Sequence, residues 1–273
     1  MIDGLPGALE HLRELEGRVA GRRPAVFLDY DGTLTAIVPD PARARLPDRT
    51  RVAIRRLAAV APVAIVSGRD LEDVRRLVAL EGLWYAGSHG FEILGPDGSR
   101  HERAPGTLPV LDKVEAALGE AIGSVSGARV ERKRFAIAVH VRNVVEAQVP
   151  AVDAAVAAVA AVHPDLRRTG GKKVFELRPN LDWDKGRAVG WLLEELGLER
   201  PDIVPIYVGD DETDEDAFRA LAGKGIGIVV RGEGDHRPTA AALALESPDD
   251  VPRLLDAIRR TVDGPPASGP APR

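Results

Sequence analysis

The sequence predicts an α/β fold, a doubly wound parallel sheet interrupted by a smaller α+β unit. Three observations carry this reading. Short apolar runs alternate with stretches of helical periodicity toward both ends of the chain, those runs close on polar or acidic residues, and the middle of the chain changes to the period of two typical of antiparallel strands. With 273 residues, 44% of them apolar, the chain holds enough material for one large domain or two modest ones, and fibrous or globally disordered classes are excluded. Forty-two acidic side chains against 37 basic ones, a net charge of −5, argue against non-specific nucleic-acid binding, which draws its affinity from Lys and Arg. The absence of cysteine removes disulfides, thiolate zinc sites and a Cys nucleophile. No stretch approaches the roughly 18 consecutive apolar residues that span a bilayer, and no signal arrangement opens the sequence. The expected location is therefore the cytoplasm, with no membrane partner.

The elements follow in order. Leu5, Leu9, Leu12, Leu15 and Val19 recur at helical spacing, so residues 1–21 read as an amphipathic N-terminal helix. Residues 25–28 form a short apolar run between Pro24 and Asp29, a buried strand. A helix over 48–59, an apolar run over 63–66, a Ser-Gly-Arg turn and a helix over 70–79 continue the alternation. After Pro105 a helix over 108–122 leads to a first hairpin within residues 129–142, where Phe135, Ile137, Val139 and Val141 alternate with Ala136, Ala138, His140 and Arg142 as a half-buried antiparallel strand. A helix over 145–162 and a second hairpin pivoting on Gly170-Gly171 complete an insertion over 105–179. Helices over 185–196, 215–222 and 251–262 and strands over 203–208 and 226–230 restore the first pattern, which makes a discontinuous core of residues 22–104 and 180–262. Residues 263–273, rich in Pro, Gly and Ala, read as a disordered tail.

Four segments place polar side chains at the carboxyl ends of predicted parallel strands, where open α/β sheets bind ligands. In Asp29-Tyr30-Asp31-Gly32-Thr33, two carboxylates leaving a buried strand can divide nucleophilic and acid-base work, although the same residues also make an ordinary polar turn. Ser67 stands where a strand gives way to a helix, suited either to a phosphate oxygen or to a plain N-cap. Lys185 opens a helix in a chain with only six lysines. Finally, Asp210-Asp211-Glu212-Thr213-Asp214-Glu215-Asp216 concentrates six carboxylates, which repel one another unless solvent, a cation or a helix dipole relieves them. Mg²⁺ is the natural cation, and Glu212, Glu215 and Asp216 read as serving only the helix N-terminus.

The order Asp-x-Asp-Gly-Thr, Ser, Lys, Gly-Asp-Asp-x-x-Asp resembles the four-motif signature of the haloacid dehalogenase superfamily of phosphotransferases. That resemblance implies a Rossmann-like core, and the insertion between the second and third motifs resembles the superfamily's α+β cap of the second type. Val130-Glu131-Arg132-Lys133, His140-Val141-Arg142 and Phe175-Glu176-Leu177-Arg178-Pro179 are similar to cap motifs of the trehalose-6-phosphate phosphatase family. Gly87-Ser88-His89-Gly90-Phe91-Glu92 resembles that family's Gly-Asn-His-Gly-Ala-Glu segment, with Ser88 and Phe91 as departures.

The resemblance implies a Mg²⁺-dependent phosphatase that releases trehalose and phosphate in the last step of trehalose biosynthesis. In it Asp29 is the nucleophile, which becomes an aspartyl-phosphate, and Asp31 is the general acid and base. Thr33, Ser67 and Lys185 hold the phosphoryl group. The metal ligands are Asp29, the Asp31 backbone carbonyl and Asp210, with Asp211 or Asp214 binding directly or through water. Glu131, Lys133, His140, Arg142, Glu176 and Arg178 select the sugar phosphate, and hinge motion is expected near residues 104 and 180. Functional pairing with a trehalose-6-phosphate synthase is also implied. The alternatives are a phosphatase for another sugar phosphate, such as sucrose 6-phosphate or a glycosylglycerate phosphate, a phosphohexomutase, and a catalytically silent sugar-phosphate sensor.

Overall fold

The apolar runs of the sequence lie side by side in one sheet. A computed structural model describes residues 1–38, 43–171, 173–232 and 234–263, and the last ten residues of the expected tail lie outside the described residues. In chain order the elements are α1 (Leu12–Val19), β1 (Arg23–Leu28), α2 (Asp48–Ala58), β2 (Val63–Val66), α3 (Leu71–Val78), β3 (Trp84–Gly87), β4 (Glu92–Leu94) and β5 (Arg100–Glu102). There follow α4 (Leu108–Ile122), β6 (Arg129–Lys133), β7 (Ala136–His140), α5 (Val149–Ala161), β8 (Leu166–Gly171) and β9 (Val174–Pro179). The chain continues through α6 (Lys185–Glu195), β10 (Ile203–Gly209), α7 (Asp214–Leu221), β11 (Ile226–Val230), β12 (Leu243–Leu245) and α8 (Val251–Asp263). It divides into two compact units, Met1–His101 with Trp183 onward, and Glu102–Asp182.

The first unit is built on a sheet of order β12-β11-β10-β1-β2-β3-β4-β5, parallel from β12 to β3 and antiparallel between β3 and β4. Its central strands are buried on both faces, as parallel strands covered by helices must be. Alternation along β1 sends Val26 and Leu28 toward Ile54, Leu57 and Leu254 of α2 and α8, and sends Ala25 and Phe27 toward Val189, Leu192 and Phe218 of α6 and α7. The strand order reverses at β1, which lies between β2 and β10. Leu28 pairs with Ile65 on one side and with Val208 on the other. Asp29 and Asp210, just beyond the ends of adjacent strands, therefore stand at the switch point where such sheets open a crevice.

The second unit is a four-stranded antiparallel sheet of order β6-β7-β9-β8, with α4 and α5 packed on one face through Leu111, Val114, Leu118, Val152 and Val156.

Three local expectations are corrected. The helix read over residues 1–21 is confined to Leu12–Val19, because Pro6 and Gly7 interrupt it and Gly7 instead bridges Ala244 at the edge of the sheet. The hairpin read over 129–142 forms, but it turns at Arg134 and Phe135 and its second strand is Ala136–His140, so Phe135, Val141 and Arg142 lie outside the strand. Its second strand buries Ala136 and Ala138 as well as Ile137 and Val139. In the second hairpin Gly170 and Gly171 pair within β8, opposite Phe175 and Val174, and the chain turns beyond them. The sequence reading had no element at β3, β4, β5 or β12, because runs of three or four residues carry too little periodicity to stand out.

Candidate active site

The site grows from the loops that follow β1 and β10. Asp29 leaves β1 almost fully buried, and its amide donates to the Val208 carbonyl, so the two loops are stitched together at their start. Gly32 then turns back at φ +80°, the left-handed region that favours glycine, and a Cβ there would meet Asp210 Oδ2 at 2.0 Å. Its lack of a side chain is what lets the Asp210 carboxylate lie against the first loop, where Thr33 Oγ1 donates to Asp210 Oδ1 at 3.2 Å.

Lys185 begins α6, with Asp184 as N-cap accepting from the Arg187 amide. Its ammonium is buried and donates to Asp29 Oδ1 at 2.8 Å and to Asp214 Oδ1 at 2.7 Å. Asp214 is fully enclosed. Its Oδ1 also accepts from the Tyr207 hydroxyl at 2.6 Å, and its Oδ2 accepts the amides of Asp210 and Asp211 at 2.9 and 3.0 Å. Asp214 thus ties the acidic loop to Lys185.

Carboxylate oxygens of Asp29, Asp210 and Asp214 lie within 4.8 Å of one another. Burial pushes the Asp29 carboxyl up and Lys185 pulls it back, while Asp214 and Asp210 add to the rise. Burial, together with Asp214 and Asp211, pushes Asp210 up to about 8. Burial alone would lower the Lys185 ammonium, but Asp214 and Asp29 outweigh it and hold the group well above its ordinary value. Three carboxylates share one ammonium, so the fully ionised cluster carries an excess of negative charge in a buried place. A divalent cation cancels that excess, and hard carboxylate oxygens are the donors Mg²⁺ takes. The residues present therefore fit a metal ion. Asp211 does not join this group: its Oδ1 accepts the Thr213 amide and hydroxyl at 2.8 and 2.7 Å.

Asp31 points elsewhere. Its carboxylate is gripped by both arms of Arg69, at 2.6 and 2.7 Å, and Arg69 also binds Asp73 and stacks over the Tyr30 ring. Ser67 is buried beyond the end of β2, its hydroxyl accepting the Arg69 amide at 3.2 Å. Ser88, His89 and Gly90 adopt φ of 49°, 58° and 87°, an uncommon left-handed run held down by bonds from the Ser88 amide to the Arg69 carbonyl and from the His89 amide to the Ser67 carbonyl. The departure at Ser88 has a local use, since its hydroxyl donates to Asp70 at 3.0 Å.

In the second unit Glu131, Lys133, His140, Glu176 and Arg178 share the sheet face opposite the helices. Glu131 opposes Ala138, Lys133 opposes Ala136, and Ala138 opposes Glu176. Lys133 binds Glu176 at 3.1 Å, and His140 Nε2 meets Glu131 Oε2 at 2.6 Å. Arg142 is not in this set, because β7 ends at His140 and Arg142 lies exposed in the following turn. Arg129, Arg167 and Thr169 belong to the same face by register, and the sequence reading missed them. It also missed Arg69, and Arg237, whose Nη2 donates to the Asp210 carbonyl at 2.7 Å. Glu215 does more than serve the helix N-terminus, since its Oε2 accepts the Ala240 amide at 2.8 Å.

The solved structure of a haloacid dehalogenase-like hydrolase from Bacteroides thetaiotaomicron shares this fold, with TM-score 0.62 at 17% identity over 88% of this chain and 99% of that one. A trehalose-phosphatase family model matches residues 27–249. A Mycobacterium marinum trehalose-phosphate phosphatase is 49% identical over 251 residues, 90% of this chain and 64% of that protein. A Mycobacterium tuberculosis protein named as an uncharacterized glycosyl hydrolase is 49% identical over 263 residues, 94% of this chain and 20% of that protein. The chain therefore spans about two thirds of one relative and a fifth of the other. The solved structure of a trehalose-6-phosphate phosphatase related protein superposes with TM-score 0.74 at 26% identity, covering 86% of this chain and 96% of that one. The chain belongs to the trehalose-phosphatase family.

Two predictions follow from this geometry. Gly32→Ala places a Cβ against Asp210 and strains the turn, so divalent-cation affinity and turnover should both fall about tenfold or more, read by calorimetry and phosphate release; unchanged values in a folded variant would contradict the packing. The hydrogen bond from His140 first, against the opposing effect of burial, and then the charge of Lys133 lower Glu131 to about 2. A depressed carboxylate contributes stability above its unfolded value near 4.5, and that contribution is lost as pH falls through about 2. Glu131→Gln should therefore lose less stability than wild type between pH 5 and pH 2.5 in urea unfolding, by under about 1 kcal/mol because the pair is partly exposed.

Proposed function

We propose that the protein is a Mg²⁺-dependent phosphatase that hydrolyses trehalose 6-phosphate to trehalose and phosphate. The observation that carries this is the buried Lys185 bridge between Asp29 and Asp214, with Asp210 alongside, in a chain of the trehalose-phosphatase family.

In the proposed reaction an Asp29 carboxylate oxygen forms a bond to phosphorus while the bond from phosphorus to the sugar oxygen breaks. Lys185 orients Asp29 and opposes the burial that raises its carboxyl, and its single positive charge is shared with Asp214. Asp31 gives a proton to the departing sugar oxygen, so trehalose leaves as an alcohol. Asp31 then takes a proton from water, the water oxygen attacks phosphorus, and the bond to Asp29 breaks, which restores the carboxylate and releases phosphate. Thr33 and Ser67 offer hydroxyls at the two strand ends flanking the reacting group. Asp29, Asp210 and the Asp31 carbonyl would hold a divalent cation, which would supply charge neutralisation for the phosphoryl oxygens. Asp214, whose oxygens are already occupied by four donors, orients the others.

The grip of Arg69 on Asp31 fits an ionised carboxylate, the form needed to deprotonate water. To donate a proton Asp31 must let go of at least one arm of that fork. The polar face of the second unit is proposed to recognise the disaccharide. Its Glu131–His140 and Lys133–Glu176 pairs present donors and acceptors on one surface, the pairing that sugar hydroxyls require. The same reading assigns residues 105–179 to substrate selection, with hinges near 104 and 180. It places the reaction in the cytoplasm, functionally paired with a synthase that supplies the sugar phosphate. No described helix is long and apolar enough to cross a membrane.

Phosphate release from a panel of sugar phosphates with Mg²⁺ tests the proposal. Trehalose 6-phosphate should exceed sucrose 6-phosphate and glucose 6-phosphate by at least tenfold in kcat/KM, and Asp29→Asn should lose turnover while keeping its fold. Comparable rates across the panel would overturn the substrate, and an active Asp29→Asn protein would overturn the nucleophile.

A further inference from the structure

We propose that Arg237 is a positioning residue for the divalent-cation site, fixing the peptide of Asp210 so that its carboxylate faces Asp29 and Asp214. The inference rests on the reading above that this cluster binds a divalent cation.

Asp210 follows β10, and its peptide is held at two points. Its N–H donates to Asp214 Oδ2 at 2.9 Å, and its carbonyl accepts from Arg237 Nη2 at 2.7 Å. With the N–H and the carbonyl both fixed, little backbone freedom is left to re-aim the side chain. Arg237 comes from the loop between β11 and β12, far from any strand-end motif, and its side chain is 17% exposed. That side chain is itself fixed. Nη1 pairs with Asp235, Nε lies 3.6 Å from Glu215 Oε1, and Glu215 is anchored in turn by the Ala240 amide. The Arg237 backbone is tied down as well, its amide donating to Asp235 Oδ1 at 3.2 Å and its carbonyl accepting the Ile2 amide at 3.2 Å. A planar guanidinium reaches a carbonyl and two carboxylates at once, which a Lys ammonium does less well.

The sign of the effect separates positioning from charge. A cation beside a metal site opposes metal binding, so removing the Arg237 charge alone would tighten binding. If Arg237 acts by holding the Asp210 peptide, its removal loosens binding despite the lost repulsion. Outer partners of metal ligands typically carry 10–100-fold in affinity.

The experiment is calorimetric titration of MgCl2 into the full chain at fixed pH and ionic strength, comparing wild type with Arg237→Met, Arg237→Gln and Arg237→Lys, each checked for fold by circular dichroism. Arg237→Met and Arg237→Gln should weaken Mg²⁺ binding at least about tenfold, with Arg237→Lys recovering part of the loss. Unchanged or tighter binding in the folded variants overturns the proposal, and should Arg237→Met fail to fold, Arg237→Gln and Arg237→Lys decide by the same criterion. A wild type that binds Mg²⁺ yet releases no phosphate from trehalose 6-phosphate rejects the substrate while leaving Arg237 to be judged on binding. A wild type that binds no divalent cation overturns both.

Discussion

One buried ammonium between two buried carboxylates governs the candidate site. Lys185 lies between Asp29 and Asp214, at 2.8 and 2.7 Å, and each of the three groups belongs to a different segment of the chain. Bringing them together requires α6 and α7 to approach closely. Gly186 allows this, because a Cβ there would meet the Asp216 carbonyl at 2.3 Å. It also requires β1 and β10 to be neighbours in the register that pairs Leu28 with Val208, so that Asp29 and Asp210 leave the sheet within one residue of each other. The doubly wound topology and the placement of the helices are both conditions for that contact.

Such a cluster is a poor source of stability. Removing charges from water costs several kcal/mol per ion, and a well-packed apolar replacement is often as stable or more so. Its effect is on the carboxylates it holds, to which the proposed reaction assigns the chemistry. Lys185 holds Asp29 against the burial and the like charges that push it up, and Asp214 spends all its oxygens on donors that orient its neighbours. Asp210 is left raised, facing an excess of negative charge that a divalent cation cancels. Asp31 is set apart by Arg69, so two carboxylates two residues apart stand in unlike surroundings. That asymmetry suits the two roles proposed for this turn, a nucleophile and a proton carrier.

How much of this was legible in the sequence depends on how local the signal was. Asp29, Lys185 and Asp210 follow apolar runs or open a helix, and a strand-end carboxylate is visible without any structure. The parallel core was legible for the same reason, since runs such as 203–208 and 226–230 are continuous and apolar. Five of the six polar residues chosen in the second unit do share a face, because period two alone decides it; Arg142 fails because β7 ends two residues earlier. Arg69 and Arg237 were not legible in their roles. Each acts through a partner distant in sequence, 38 residues away for Asp31 and 27 for Asp210, and an arginine in a loop announces nothing by spacing. That Asp214 is a fourfold acceptor appears only when the donors around it are placed.

The proposed reaction requires Asp29 to carry the phosphoryl group. The most direct measurement mixes the protein and Mg²⁺ with trehalose 6-phosphate labelled in its phosphate, quenches in acid within milliseconds, and maps the label after proteolysis. The account predicts an acid-stable, hydroxylamine-sensitive phosphoryl group on the peptide containing Asp29, absent from the Asp29→Asn protein. Label on another residue, or turnover with no labelled peptide at any quench time, would contradict it.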